Sequence, residues 1–219
     1  MRTAVLRGLY VIADTRLSQA HSRLDTRVAA AIRGGARLVQ IRDKRPQPDI
    51  AEIQAVAKLC QHYRIPLLMN DSIELALQVG ATGVHLGQGD ASLREARQQL
   101  GDAAIIGITC HADIALARRA EAEGADYVAF GRFFSSLSKP EAPPAPVEVL
   151  SQAKQQLRLP VVAIGGITPD NGGSLIHAGA DMLAVIHGVF GQTDIEAATR
   201  QYTDLFTAPR NDTAAQRSP

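Results

Sequence analysis

The sequence predicts one α/β domain, a (β/α)8 barrel of eight parallel strands, each followed by a helix. Three observations predict it. Short apolar runs recur along the chain with amphipathic stretches between them, the alternation of a parallel sheet wrapped by helices. The dipeptide Gly-Ala falls at Gly35-Ala36, Gly80-Ala81, Gly124-Ala125 and Gly179-Ala180, each time just ahead of an even-numbered strand. A length of 219 residues suits a compact barrel. Alternation alone also fits an open doubly wound sheet. A unit recurring every two β/α pairs is what a closed barrel built from quarters would show.

Taken in order, strands are expected at 9–13, 38–41, 66–69, 83–86, 104–107, 127–130, 161–164 and 182–186. Helical spacing is clearest over 49–63 and 113–123, where alanine, leucine and charges alternate by turns. Each glycine of the Gly-Ala repeat is expected to end a helix in the left-handed region, after which the chain enters the sheet. The stretch RFFSSLSKPEAPPAP, 132–146, is long for a barrel loop and suits a lid or ligand loop, although its proline-rich half also fits a stiff connector. The barrel is expected over 1–207, and the polar, aperiodic 208–219 as a disordered tail.

Composition narrows the function. A net charge of +1 argues against a nucleic-acid partner, so anion binding must come from a local cluster. No stretch reaches the ~18 apolar residues of a membrane span. The opening MRTAVLRGLYVIAD runs directly into a strand pattern and does not read as a signal peptide. Cys60 and Cys110 suit a reducing compartment and have no metal-ligand spacing, and a cytoplasmic enzyme is expected.

The stretch VQIRDK organises the chemistry. Gln40, Arg42 and Lys44 alternate with Val39, Ile41 and Asp43, so on an extended strand the first three share one face. Cations on the inner face of a barrel need partners or an anion at the mouth. In a barrel, chemistry gathers at the C-terminal strand ends, and these are polar here. Asp14 follows the first strand, Asn70 and Asp71 the third, and Gly87 to Asp90 the fourth. Thr109 to His111 follow the fifth, Gly165-Gly166 the seventh, and His187-Gly188 the eighth.

Each candidate has a plain structural alternative. Gly165-Gly166, ahead of Thr168-Pro169-Asp170, resembles a phosphate turn at a helix start, or is simply a tight turn with Asp170 near the helix. Asp71 and Asp90 offer hard oxygen ligands for Mg²⁺ that phosphate oxygens would complete. Alternatively Asp71 caps a helix in a box with Glu74, and Asp90 caps the next one. Ser136, Ser138 and Lys139 can bind an acid group and steady a leaving group, or form a solvated loop. His21, His62 and His177 read as surface positions, His85 as a hydrogen-bonded core histidine, and Cys110 as a packed thiol.

Taken together, QIRDK, MND, GVHLGQGD, GADYVAFG with SSLSK after it, and AIGGIT resemble the thiamine-phosphate synthase family over nearly the whole chain. That resemblance implies a barrel enzyme with two phosphorylated small-molecule substrates and Mg²⁺. It would join the pyrophosphate ester of hydroxymethylpyrimidine to a phosphorylated thiazole carboxylate, releasing pyrophosphate and CO2. By motif, Gln40, Arg42 and Lys44 would hold the pyrophosphate with Asn70 beside them, and Asp43 of the same motif would be a substrate-binding residue too. Asp71 and Asp90 would carry Mg²⁺, and Thr109 would contact the pyrimidine. Ser136 and Ser138 would hold the thiazole, and Lys139 would reach the pyrophosphate. Gly166 and the Ile186-His187 backbone would bind the thiazole phosphate, with Arg42, Lys44 and Lys139 as the catalytic cations. The chain departs from the family pattern with serines in SSLSK, with Thr109, and with His187 where serine is usual. Two rivals remain: a thiazole tautomerase on the same barrel, which needs neither the carboxylates nor the full QIRDK cluster, and a non-catalytic barrel that senses thiazole or thiamine phosphate.

Overall fold

The computed structural model describes residues 6–17, 22–135 and 143–207. The elements run β1 (Gly8–Asp14), a 3-10 turn (Thr15–Leu17), α1 (Leu24–Arg33), β2 (Leu38–Arg42), α2 (Ile50–Tyr63) and β3 (Leu67–Asn70). Next come α3 (Ile73–Val79), β4 (Gly83–Leu86), α4 (Leu93–Leu100), β5 (Ile105–His111), α5 (Ile114–Glu123) and β6 (Tyr127–Phe130). The chain ends with α6 (Glu148–Gln156), β7 (Val161–Ile164), α7 (Pro169–His177), β8 (Met182–Val185), a one-turn α8 (His187–Phe190) and α9 (Ile195–Asp204). The strands pair in parallel in sequence order, and β8 closes on β1 with Leu183 beside Leu9. This is the (β/α)8 barrel the sequence predicts. Several boundaries shift by a residue, which takes Asp14 and Asn70 into the ends of β1 and β3, and β5 shifts furthest: it runs on to His111, so Thr109 lies inside the strand rather than after it. The ladder with β6 continues there, Thr109 beside Ala129 and His111 beside Phe130, across a register shift.

The Gly-Ala repeat is a hydrogen-bonding unit. Gly35, Gly80, Gly124 and Gly179 have φ of 103°, 69°, 94° and 120°, as a left-handed helix stop requires. The alanine after each donates its N–H back over the last helical turn: Ala36 to Ala31, Ala81 to Ala76, Ala125 to Ala120 and Ala180 to Leu175, at 2.9–3.1 Å. The next residue then joins the sheet. The N–H groups of Arg37, Thr82, Asp126 and Asp181 reach the carbonyls of Leu9, Leu67, Ile106 and Val161, each at 2.8 Å. Two of these residues return the bond through a carboxylate, Asp126 accepting from Ile106 N–H and Asp181 from Val161 N–H, both at 2.8 Å. Arg97 and Lys154 pair with those carboxylates at 2.7 and 2.9 Å.

Strand side chains alternate between two cores. Leu9, Val11 and Ala13 of β1 face the helical layer, while Tyr10 and Ile12 point into the barrel. Each fully buried aliphatic side chain contributes about 1.5–3 kcal/mol, so this alternation fixes register as well as fold. Inside the barrel Leu38, Leu68, Val162 and Met182 fill the lower layer. Gly107 is obligatory there, because a Cβ would come within 1.9 Å of the Tyr127 ring. Among the described residues no helix is long and apolar enough to cross a membrane.

Candidate active site

A cavity of about 1110 Å³ opens at the C-terminal ends of the strands. On the β2 side Arg42 lines it and is fixed from behind: its Nη1 donates to Asp14 Oδ2 at 2.6 Å. Asp14, the last residue of β1, is 2% exposed and also accepts from Arg16 through both oxygens. Burial opposes its charge, but the bonds from Arg16 and the nearby Arg42 hold its carboxyl below the usual carboxylate range.

Lys44 stands two residues beyond the end of β2 and does not line the cavity wall; its Nζ meets Asp71 Oδ2 at 2.5 Å. Asp71, at the end of β3, has φ of 64°, a left-handed conformation that aspartate tolerates better than most residues. Its carboxylate lies against that of Asp90, beyond β4, within hydrogen-bonding reach. Burial works against the charge of Asp71, but Lys44 draws its carboxyl down; burial and the neighbouring Asp71 push that of Asp90 up. Neither residue is a helix cap. Ser72 caps α3 and Ser92 caps α4, each accepting an N–H through its side chain. Asp90 Oδ2 instead accepts from Gly87 N–H at 2.6 Å and folds its own loop.

Asp43 is a correction to the expected substrate set. It follows the last residue of β2, and its side chain is fully buried and absent from the cavity lining. Thr15 Oγ1 and the Arg45 guanidinium donate to it, leaving no oxygen for a substrate in the cavity.

The floor is polar. Gln40, Thr109 and Asn70 line it as expected, together with Tyr10 and His85. His85 is half-buried and hydrogen-bonded as the sequence suggested, yet it faces the cavity, with Nδ1 at 2.8 Å from Tyr127 Oη and Nε2 at 2.8 Å from Thr109 Oγ1. On the far wall Gly165 and Gly166 line the mouth with φ of 105° and 63°. The room they leave is taken by the chain after β6: a Cβ on Gly166 would lie 2.3 Å from Ser135 O, and one on Gly165 2.3 Å from Arg132 Cβ. Phe134 N–H donates to Gly165 O, so this turn and that loop are built together. Thr168 starts α7 in a box with Asn171, while Asp170 lies in the first turn. Ile186 and His187 line the cavity at the start of α8, where the first N–H groups have no intrahelical partner. The His187 ring is exposed and folds towards Gly191.

Ser136, Ser138 and Lys139 fall outside the described residues, as do His21 and the 208–219 tail. His62 and His177 are exposed as expected, and Cys60 and Cys110 are buried free thiols that burial pushes up to about 12. Sequence reasoning missed Asp14 as the partner of Arg42 and the two tyrosines of the floor. Tyr10 and Tyr127 read as ordinary strand aromatics; both fall on the inward register, and their polar partners Gln40 and His85 come from other strands.

Comparison with known proteins agrees with this geometry. A family model described as thiamine monophosphate synthase matches residues 9–189. A thiamine-phosphate synthase of Alcanivorax borkumensis is 51% identical over 211 residues, covering 94% of this chain and 97% of the relative. One from Marinobacter nauticus is 52% identical over 210 residues, covering 94% of each chain. The solved structure of a thiamine phosphate pyrophosphorylase from Pyrococcus furiosus superposes with a TM-score of 0.80 at 30% identity, covering 92% of this chain and 96% of that one. The chain belongs to the thiamine-phosphate synthase family, transferases of thiamine biosynthesis with a TIM-barrel fold.

Proposed function

We propose that this family member joins hydroxymethylpyrimidine pyrophosphate to the phosphorylated thiazole carboxylate by a dissociative substitution, giving thiamine phosphate, pyrophosphate and CO2. The observation that carries this reading is the row of charges on the adjacent ends of β2, β3 and β4. There Asp14 fixes Arg42, Lys44 pairs with Asp71, and Asp71 lies against Asp90. Two carboxylates pressed together suit a hard cation better than they suit each other, which supports Mg²⁺ at Asp71 and Asp90. Among the described residues no three His, Cys, Asp or Glu side chains converge on a metal position. That suits an ion whose shell is finished by substrate phosphate oxygens. When bound, Mg²⁺ supplies neutralisation of charge on the departing pyrophosphate.

This chain's residues then do electrostatic work. Arg42 and Lys44, with Gln40 and Asn70 beside them, bind the pyrophosphate, and Lys139 approaches it from its loop. Thr109 contacts the pyrimidine, Ser136 and Ser138 the thiazole, and the Gly166 and Ile186-His187 backbone the thiazole phosphate. Loss of pyrophosphate from an aminopyrimidine leaves a resonance-stabilised cation that the thiazole nitrogen captures, so little proton transfer is needed. Preorganised cations at a developing anion are each worth on the order of 10²–10³ in rate, and Arg42→Ala should lose that much kcat. The substrates are small molecules, with neither nucleic acid nor membrane as partner. The cytoplasm is the compartment we assign, since Cys60 and Cys110 are free thiols.

Incubating purified protein with both phosphorylated substrates and Mg²⁺ tests the reading. Thiamine phosphate and pyrophosphate are the expected products. Conversion of the thiazole alone, without pyrophosphate release, would favour the isomerase instead.

A further inference from the structure

Along the cavity floor runs a chain of hydrogen bonds whose middle members, Tyr10, Tyr127 and His85, have no work in the proposed reaction. Gln40 Nε2 donates to Tyr10 Oη at 2.7 Å, and the Tyr10 and Tyr127 hydroxyls lie 3.0 Å apart. Tyr127 Oη is 2.8 Å from His85 Nδ1, and His85 Nε2 is 2.8 Å from Thr109 Oγ1. The chain thus crosses the barrel from β2 to β5, with one residue each from β1, β6 and β4 between. Packing holds the middle of it rigid. The Tyr127 ring meets Tyr10 edge-on, with centroids 6.0 Å apart, and stacks on His85 at 5.6 Å and 18°. It lies in the space that Gly107 leaves open. Tyr10 and Tyr127 are 1% and 0% exposed.

The direction of the chain follows from counting protons. A phenol has one hydrogen, and an amide nitrogen only donates. Burial pushes both phenols above their ordinary range, so each keeps its proton. Tyr10 accepts from Gln40, and the acceptor left for its own buried hydrogen among its bonded partners is Tyr127 Oη, so the hydrogen goes there. The Tyr127 hydrogen then goes to His85 Nδ1, which must be bare. The imidazole proton sits on Nε2 and is donated to Thr109 Oγ1. Thr109 is left with its own hydrogen to give. In the reverse direction Thr109 would donate to His85 and present only lone pairs to the cavity.

We infer that Tyr10 and Tyr127 are positioning residues: they hold His85 in its Nε2–H tautomer and so commit the Thr109 hydroxyl to donate a hydrogen bond to a ring nitrogen of the ligand. This deepens the proposed reading and rests on the pyrimidine occupying that floor. A buried chain of this kind also rejects a ring lacking the matching acceptor, because the hydroxyl would be left unpaired.

The tautomer is read directly by long-range ¹H–¹⁵N spectra of the uniformly labelled full chain at about pH 8, above the reference range of an imidazole. A His85→Asn variant assigns the signals. A proton on Nε2 with bare Nδ1 is expected; a proton on Nδ1 overturns the inference. Tyr127→Phe removes one link, and it should mix the tautomers. It should also cut kcat/KM for the pyrimidine substrate about tenfold while KM for the thiazole phosphate stays within about twofold, and it should narrow discrimination against an analogue with C–H in place of the ring nitrogen. A variant that keeps the Nε2–H signal and the wild-type kcat/KM overturns the inference. Tyr10→Phe breaks the same chain one link earlier and serves if Tyr127→Phe does not fold. Failure of the synthase reading would show separately, as no product from the wild type, and the spectra would still decide the tautomer.

Discussion

In the proposed reaction Arg42 has to face an anion at the cavity mouth and yet stay in place when none is bound. Asp14 makes this possible by holding one end of the guanidinium at 2.6 Å while Arg16 compensates the remaining carboxylate charge. Asp14→Asn would leave Arg42 without its counter-charge and free to swing. The expected outcome is a loss of about tenfold in kcat/KM for the pyrimidine substrate, one fixed charge-assisted bond, with KM for the thiazole phosphate unchanged. Steady-state kinetics with each substrate varied in turn would show it, and an unaltered pyrimidine kcat/KM would remove Asp14 from the site. Asp71→Asn and Asp90→Asn should each lose most activity and need more Mg²⁺ for what remains, which a Mg²⁺ titration of rate measures. Wild-type rates and Mg²⁺ dependence in both would end the metal assignment. The alternation in QIRDK was enough to place Arg42 and Gln40 on the cavity lining. Lys44 lies past the strand, because β2 ends at Arg42, and it joins the row through its pair with Asp71 and not by alternation. Asp14 lies 28 residues from Arg42, a separation that sequence spacing cannot resolve and only strand pairing brings together.

At the scale of elements, the end of the barrel opposite the cavity works by the four Gly-Ala units. Each stops a helix, returns one N–H to that helix and the next to the preceding strand. The two later units add Asp126 and Asp181, whose carboxylates accept the N–H groups of Ile106 and Val161. Removing such an acceptor leaves a strand N–H unpaired, so Asp126→Ala and Asp181→Ala should each destabilise by about 1–3 kcal/mol. That corresponds to a fall of roughly 2–4 °C in Tm per kcal/mol for a domain of this size. Because barrel chemistry belongs to the other face, kcat/KM should not change. Calorimetry and kinetics on the same samples check both halves, and a variant that loses activity at full stability would contradict the division. The repeat was legible because glycine is the one residue that takes the left-handed stop without a steric penalty. The caps were less legible: Asp71 and Asp90 each precede a helix, but Ser72 and Ser92 are the residues in register with the first free N–H groups. The β6 loop was legible only as a long loop; its packing onto Gly165-Gly166 depends on contacts that no local pattern encodes.

For the molecule as a whole, carboxylates held by arginines near the site also set its behaviour in acid. Asp14 and Asp43 are buried at the barrel mouth, and arginine bonds hold both below the usual carboxylate range against the opposing effect of burial. A carboxylate depressed in the folded state contributes stability that is fully present above its unfolded value, about 3.9, and is lost as pH falls through the folded value. The unfolded chain binds more protons in that window, so stability rises with pH there. Asp90 acts in the opposite sense, since its carboxyl is raised: it removes stability as pH climbs through its folded value. The exposed pairs of Asp25 and Glu196 add little, because solvent screens them. The expected profile is therefore a plateau above about pH 5 and a decline that steepens below about pH 4. Asp14→Asn and Asp43→Asn should each lower the plateau and flatten the decline, since an amide has no proton to gain. Urea midpoints measured from about pH 7 to pH 3 for the wild type and both variants decide this. Equal slopes in all three would mean that the acid limb comes from carboxylates elsewhere in the molecule, and not from these two arginine-bonded ones.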